Sequence, residues 1–194
     1  MTWSIRVAEP SEAPQLATFA AMLFRQAYEI THPEPTLSEY LANSFAIPRF
    51  ARTLDDPAST ILLIVSANGS WIGYAEVHQG APTAPTTVLT RPLPGIAPIE
   101  IVRFYVDQDW HGQGAAQALM RACEERARMR ACDALWLQAW QQAPRALRFY
   151  RKAGFEVYGT AIFTFGGRDD GDLILARGLT TSVGKGVLAS EPGR

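Results

Sequence analysis

Asp107-Gln108-Asp109-Trp110-His111-Gly112-Gln113-Gly114-Ala115-Ala116 lies between a β-branched and aromatic run, Ile99 to Val106, and an amphipathic run, Gly114 to Arg130. The first run reads as a strand and the second as a helix, so the quoted segment is a strand-to-helix turn. Gly112, Gly114 and Ala116 carry little or no side chain at the point where the helix begins. Small residues let a phosphate approach the backbone. The unpaired amides of a first helical turn, with the positive end of the helix dipole, attract negative charge. A pyrophosphate fits such a turn, although a glycine pair before a helix is as readily a plain turn with close helix–sheet packing. Two nucleotide signatures are absent: there is no G-x-x-x-x-G-K-[ST], and G-x-G-x-x-G fails because its third glycine falls at Gln117. The turn therefore does not point to ATP or NAD.

Working outward, Ala134 to Trp140 reads as a strand and Pro144 to Lys152 as a helix. Strand, helix and strand at this spacing form a crossover unit with parallel strands. Glu156 to Phe165 and Asp172 to Arg177 form a closing hairpin across Gly166 to Gly171. Upstream, Trp3, Ile5 and Val7 alternate with Ser4 and Arg6 as in a half-buried strand. Leu16, Phe19, Ala20, Leu23, Phe24 and Ala27 draw one apolar helical stripe that should face a sheet. Thr36-Leu37-Ser38-Glu39 fits a capping box in which Thr36 caps a second helix and Glu39 reaches back. Thr60 to Ser66 and Trp71 to His78 pair antiparallel across the Asn68-Gly69 turn. Gly80 to Pro98 holds five prolines and no periodicity, which reads as a long loop of a functional or mobile kind.

With 194 residues, 47% of them hydrophobic, the chain suits one domain. We place it at residues 1–179, with 180–194 as a flexible C-terminal tail. A formal net charge of -1 gives no broad basic field for nucleic acid. No apolar run reaches membrane-span length, and Met1 to Ala8 lacks the pattern of a secretory leader, so the expectation is a soluble cytoplasmic protein without membrane contact. Cys123 and Cys132 read as packing residues in a reducing compartment. His32, His78 and His111 show no ligand spacing with one another or with cysteine, so no metal is expected. Trp3, Trp71, Trp136 and Trp140 read as core, and Arg145, Arg148, Arg151 and Lys152 as a solvated helix face.

Two segments taken together resemble the GCN5-related N-acetyltransferase (GNAT) family. His111-Gly112-Gln113-Gly114-Ala115-Ala116 follows the family's Q/R-x-x-G-x-G/A turn except at His111. Ala143-Pro144-Arg145-Ala146-Leu147-Arg148-Phe149-Tyr150-Arg151-Lys152-Ala153-Gly154-Phe155 follows N-x-x-A-x-x-F-Y-x-x-x-G-F, with Ala143 in place of Asn. The resemblance implies an α/β GNAT fold: a mixed central sheet of about seven strands and about four flanking helices, with the fourth and fifth strands splayed around an acetyl-CoA cleft. By the same resemblance, Phe104 and Val106 supply backbone groups to the pantetheine arm. Gln113, Gly114, Ala115 and Ala116 supply amides to the pyrophosphate, with His111 and Gly112 completing the turn. Tyr150 stands where the family keeps the acid that protonates the departing thiolate.

Glu100 matches the place of the general base in histone-type members. It lies six residues before Val106, so the period of two puts both on one face. A plain strand-edge carboxylate fits the position as well, and deprotonation through water is a further alternative. From Trp3 to Leu179 the chain is also similar to bacterial spermidine/spermine polyamine N-acetyltransferases. The likeness lies in the segment Tyr28 to Glu39, in Glu100-Ile101, in Trp136-Leu137 with Trp140, and in Phe163 to Gly166 and Asp172-Leu173-Ile174. That likeness implies a small-molecule amine acceptor attracted by Glu29, Glu34, Glu39 and Glu100, although Val102 stands where those proteins tend to carry a second carboxylate. A protein or peptide acceptor, or a catalytically silent acyl-CoA sensor suggested by His111 and Ala143, stays open. So does the homodimer common in the family.

Overall fold

In the computed structural model, which describes residues 2–165 and 167–179, the chain runs β1 (Trp3–Val7), α1 (Ala13–Tyr28), α2 (Thr36–Ser44), α3 (Ile47–Asp55), β2 (Ser59–Ser66) and β3 (Trp71–Gln79). It continues through β4 (Val88–Leu89), β5 (Pro98–Val106), α4 (Ala115–Met129), β6 (Ala134–Trp140), α5 (Pro144–Lys152), β7 (Glu156–Phe165) and β8 (Arg168–Gly178). The expected tail from Thr180 onward lies outside the described residues.

The strands form one mixed α/β sheet in the order β1-β2-β3-β5-β6-β8-β7-β4. Every neighbouring pair is antiparallel except β5 and β6, which the α4 crossover joins in parallel as the spacing requires. One face carries α4 and α5, whose Leu119, Cys123 and Leu147 pack on Ile64, Ile101, Leu135 and Leu137. The other carries α1, α2 and α3, whose Leu16, Phe24, Leu37 and Phe50 pack on Ile61, Leu63 and Tyr74. Alternate residues of β2 serve the two layers, Leu62 and Ile64 on one side and Ile61 and Leu63 on the other, which is why β2 reads as an unbroken apolar run. Each fully buried leucine or isoleucine contributes about 1.5–3 kcal/mol.

The expected α/β architecture of about seven strands and about four helices holds, with details added. Among the described residues the sheet has eight strands, because Val88–Leu89, inside the segment read as a loop, pairs with Thr160 and Gly159 at the sheet edge. The short segment Ile47–Asp55 also coils, as a fifth α-helix among the described residues. The closing hairpin is tighter than read: β8 starts at Arg168, opposite Phe165. No capping box starts α2; Pro35 precedes Thr36, and the Glu34 carboxylate takes the Ser38 amide (3.2 Å) and hydroxyl (2.5 Å) instead.

One irregularity positions the site. Glu76 faces Arg103 and Val77 faces Ile101, so Val102 has no partner on β3 and β5 carries a β-bulge there. The parallel ladder between β5 and β6 has three rungs, Pro98–Ala134, Ile99–Leu135 and Glu100–Trp136. Past the last rung β5 keeps only β3 as a neighbour and β6 only β8, so the sheet forks.

Candidate active site

The fork opens into a cleft of about 780 Å³. Phe104 and Val106 of β5, Gly112 and Gly114 of the turn, and Tyr150 of α5 line its half on the α4–α5 side. Tyr28, Tyr40, Trp140, Phe163 and Phe165 line the half on the α1–α3 side. A single opening therefore joins both faces of the sheet.

The turn has the geometry that its glycines suggest. Gly112 and Gly114 have φ of 77° and 88°, the left-handed region that suits glycine, and Gly114 is the N-cap of α4. A Cβ added to either would meet nothing within 4 Å, so space lies open beside both. Ala115 and Ala116 begin the helix and have no intrahelical acceptor for their amides. Among the described residues no carbonyl accepts from the amides of Gly112, Gln113 or Gly114. The result is a concave set of unpaired N–H groups at a helix dipole's positive end, which suits an anion.

His111 does something other than face that anion site. Its Nε2 lies 2.8 Å from the Val106 carbonyl, which only accepts, so Nε2 carries the proton and donates it. The imidazole ties the turn to the end of β5. The Val106 carbonyl, read as a partner for pantetheine, thus already receives a hydrogen bond. The Gln113 side chain also turns away, donating to the Asp109 carbonyl at 2.8 Å.

The F-Y-x-x-x-G-F segment builds a seat for Tyr150. Pro144 opens α5 and Ala143 precedes it without a side-chain cap. Gly154, at φ 84°, closes the helix, and the Phe155 amide returns to the Tyr150 carbonyl at 3.0 Å. This turn packs buried Phe155 edge-on to Tyr150, with ring centres 5.8 Å apart, while Phe104 meets it from β5 at 6.3 Å. Burial pushes the phenol's pKa well above its ordinary value, so Tyr150 holds its proton across the physiological range.

Glu100 does not share a face with Val106. The bulge at Val102 shifts the alternation by one, so Phe104 and Val106 join Ile101 on the α4–α5 side, whereas Glu100 stands beside His78 and Trp136 on the opposite one. Glu100 lines the cleft from there. Burial, then the charge of Glu76, pushes its carboxyl up to about 7. Glu76 itself is buried between Arg49 (3.1 Å) and Arg103 (2.9 Å).

The acidic lining of the α1–α3 half differs from expectation. Glu29, Glu34 and Glu39 are exposed and do not line the cleft; Glu34 is engaged by Arg25 and Ser38. Asp170 and Asp172 of β8 line it instead. The Arg168 guanidinium (3.0 Å) and His32 (3.4 Å) flank Asp170. Gln138 Nε2 donates to Asp172 Oδ2 at 2.8 Å. Asp170 lies in the Gly166 to Gly171 stretch that reads as a turn in the sequence, which hides this pair. Extending the strand two residues toward Arg168 reveals Asp170 and Asp172 on one face. Trp140, read as core, is a wall of this half, 5.5 Å from the His32 ring. Among the described residues no group of three His, Cys, Asp or Glu side chains could hold a metal ion, and no helix is long and apolar enough to cross a membrane.

Residues 22–155 match the model of the acetyltransferase (GNAT) family. The chain belongs to that family. Uncharacterized N-acetyltransferases of Mycobacterium tuberculosis (strain ATCC 25618 / H37Rv) and Mycobacterium bovis are each 29% identical over 169 residues, 87% of this chain and 99% of theirs. The PaiA N-acetyltransferase of Thermoplasma acidophilum, solved in complex with coenzyme A, superposes with a TM-score of 0.71 at 16% identity, covering 92% of this chain and all of that one. NAA60 of Arabidopsis thaliana, solved with a bisubstrate analogue, gives 0.65 at 13% identity over 92% of this chain and 100% of its own. At such identities these structures share the fold alone.

In this GNAT acetyltransferase the fork falls between β5 and β6, where the family resemblance anticipated it, the extra strand β4 accounting for the change in numbering. The two departures from the motifs have separate consequences. His111 still fixes the turn, by a bond to the strand behind it. Ala143 leaves the N-terminus of α5 without a side-chain cap.

Proposed function

We propose that the protein transfers the acetyl group of acetyl-CoA to a primary amine of a small molecule, with CoA held on the α4–α5 side of the cleft and the amine on the α1–α3 side. The observation that carries this reading is the fork itself: one opening reaches both faces, with a protonated phenol on one side and a carboxyl that titrates near neutrality on the other.

The residues present fit CoA. The unpaired amides from Gly112 to Ala116, beside open space, suit its diphosphate. Past Glu100 the outer edge of β5 has no neighbouring strand, so backbone groups around Phe104 are free to pair with an amide-bearing arm. When bound, acetyl-CoA supplies an acetyl thioester whose C–S bond breaks as the new C–N bond forms.

The chain's own groups then manage protons. An amine attacks only when neutral, and Glu100, ionised above about 7, is the acceptor for its proton. Tyr150 holds a proton for the sulfur that leaves. The aromatic walls exclude water and orient the amine.

A thiol-release assay with acetyl-CoA against diamines, polyamines, amino acids, aminoglycosides and peptides, with mass spectrometry of the products, tests the reading. Amine-dependent thiol release with a matching acetylated product is expected. Tight acetyl-CoA binding without turnover of any amine would replace this reading with the acyl-CoA sensor.

A further inference from the structure

The transfer just described uses Glu100 and Tyr150 and leaves another carboxylate in the cleft without a task. Asp172 stands on β8 directly beside Trp140 of β6 and is 6% exposed. Gln138 satisfies its Oδ2, but Oδ1 is buried and accepts from no donor among the described residues. A buried carboxylate oxygen without a donor is costly and calls for a partner.

The neighbouring charges do not provide one. Asp170, two residues away on the same face, engages both Arg168 and His32, and no Lys or Arg among the described residues pairs with Asp172. Burial, with the charge of Asp170 adding to it, pushes the Asp172 carboxyl up, as expected of an acid lacking its cation. Trp140 stands beside it on β6, and Tyr28, which also lines the cleft, has its ring centre 6.1 Å from that of Trp140; such rings attract a cation.

We propose that Asp172 determines acceptor specificity, its free oxygen receiving a second cationic group, an ammonium or guanidinium, on the amine that is acetylated. This rests on the acetyl-transfer reading above. The placement suits one flexible molecule bridging both ends. Trp136 marks the level of Glu100 on β6 and Trp140 the level of Asp172. Those four residues of strand span about 13 Å at ~3.3 Å each. The nucleophilic nitrogen then lies near Glu100 and the second charge at Asp172.

The test compares kcat/KM for a series of α,ω-diamines with that for monoamines of equal chain length, in wild type, Asp172→Asn and, as a control on the same hairpin, Asp169→Asn. Asp169 is exposed, and among the described residues its side chain bonds Thr164. Wild type and Asp169→Asn should favour the diamine by about ten- to a hundredfold, the range for a charge-assisted hydrogen bond. In Asp172→Asn the ratio should fall toward one. An undiminished ratio in Asp172→Asn, or no preference in wild type while monoamines are turned over, overturns the assignment.

If no amine is turned over, the transfer reading has failed, and calorimetric titration of a diamine into the CoA-loaded protein decides on Asp172. Binding at least tenfold weaker to Asp172→Asn than to wild type supports the anchor. Equal binding, or no binding to wild type, refutes it.

Discussion

The imidazole of His111 donates to the Val106 carbonyl at 2.8 Å, fastening the glycine turn to the end of the strand that borders the cleft. The bond ties the position of the turn's unpaired amides to β5, so cofactor affinity should depend on a side chain that need not touch the cofactor. His111→Ala should raise the KM for acetyl-CoA about tenfold, the cost of about one hydrogen bond. His111→Gln, which keeps a donor, should recover most of it. Steady-state kinetics at saturating amine reads both, and an unchanged KM in His111→Ala would show that the turn holds its shape without the bond.

Gly114 should resist even alanine. At φ 88° a Cβ costs roughly 1 kcal/mol, which lowers the melting temperature by about 2–4 °C in a chain of this size. The added methyl meets no protein atom within 4 Å but projects into the space assigned to diphosphate. Gly114→Ala should therefore weaken acetyl-CoA binding by more than its modest loss of thermal stability suggests. Calorimetric Kd values for CoA, measured well below the melting temperature, check this.

Glu100 makes two linked predictions of opposite sign. Because burial pushes its carboxyl up to about 7, the base is unavailable below that pH, and kcat/KM should rise through an apparent pKa near 7. Glu100→Gln should flatten that limb. For stability, a pKa raised on folding means that the folded state binds the proton more tightly, so the contribution of Glu100 is present below its unfolded value and is lost as pH rises from about 4.5 to about 7. Glu100→Gln should thus melt above wild type at pH 8 and not at pH 5. Thermal unfolding at the two pH values is sufficient to test it.

The order of strand, glycine turn, helix, strand and helix was legible because it rests on local chemistry. Gly112 and Gly114 are needed for their φ, Pro144 for opening a helix, and Gly154-Phe155 for closing it under Tyr150. What escaped the sequence depends on contacts remote along the chain. The bulge at Val102 is a mismatch between two strands, and it turned Glu100 to the face opposite that given by a strict period of two. Asp172 became a cleft residue only once β8 paired with β6. Glu29, Glu34 and Glu39 looked like a collecting surface because composition carries no direction; in the fold they face outward. Val88–Leu89 has no strand periodicity of its own and is held by the edge of β7.

With Tyr150 as the acid of an acetyl-transfer site at the fork between β5 and β6, loss of its hydroxyl should slow transfer without loosening the cofactor. The most direct measurement is amine-dependent thiol release from acetyl-CoA by wild type and Tyr150→Phe, with the Kd of each for acetyl-CoA measured alongside. A fall of about a hundredfold or more in kcat is expected, in keeping with loss of a general acid, with a Kd within about threefold of wild type. Equal turnover by the two proteins would contradict it.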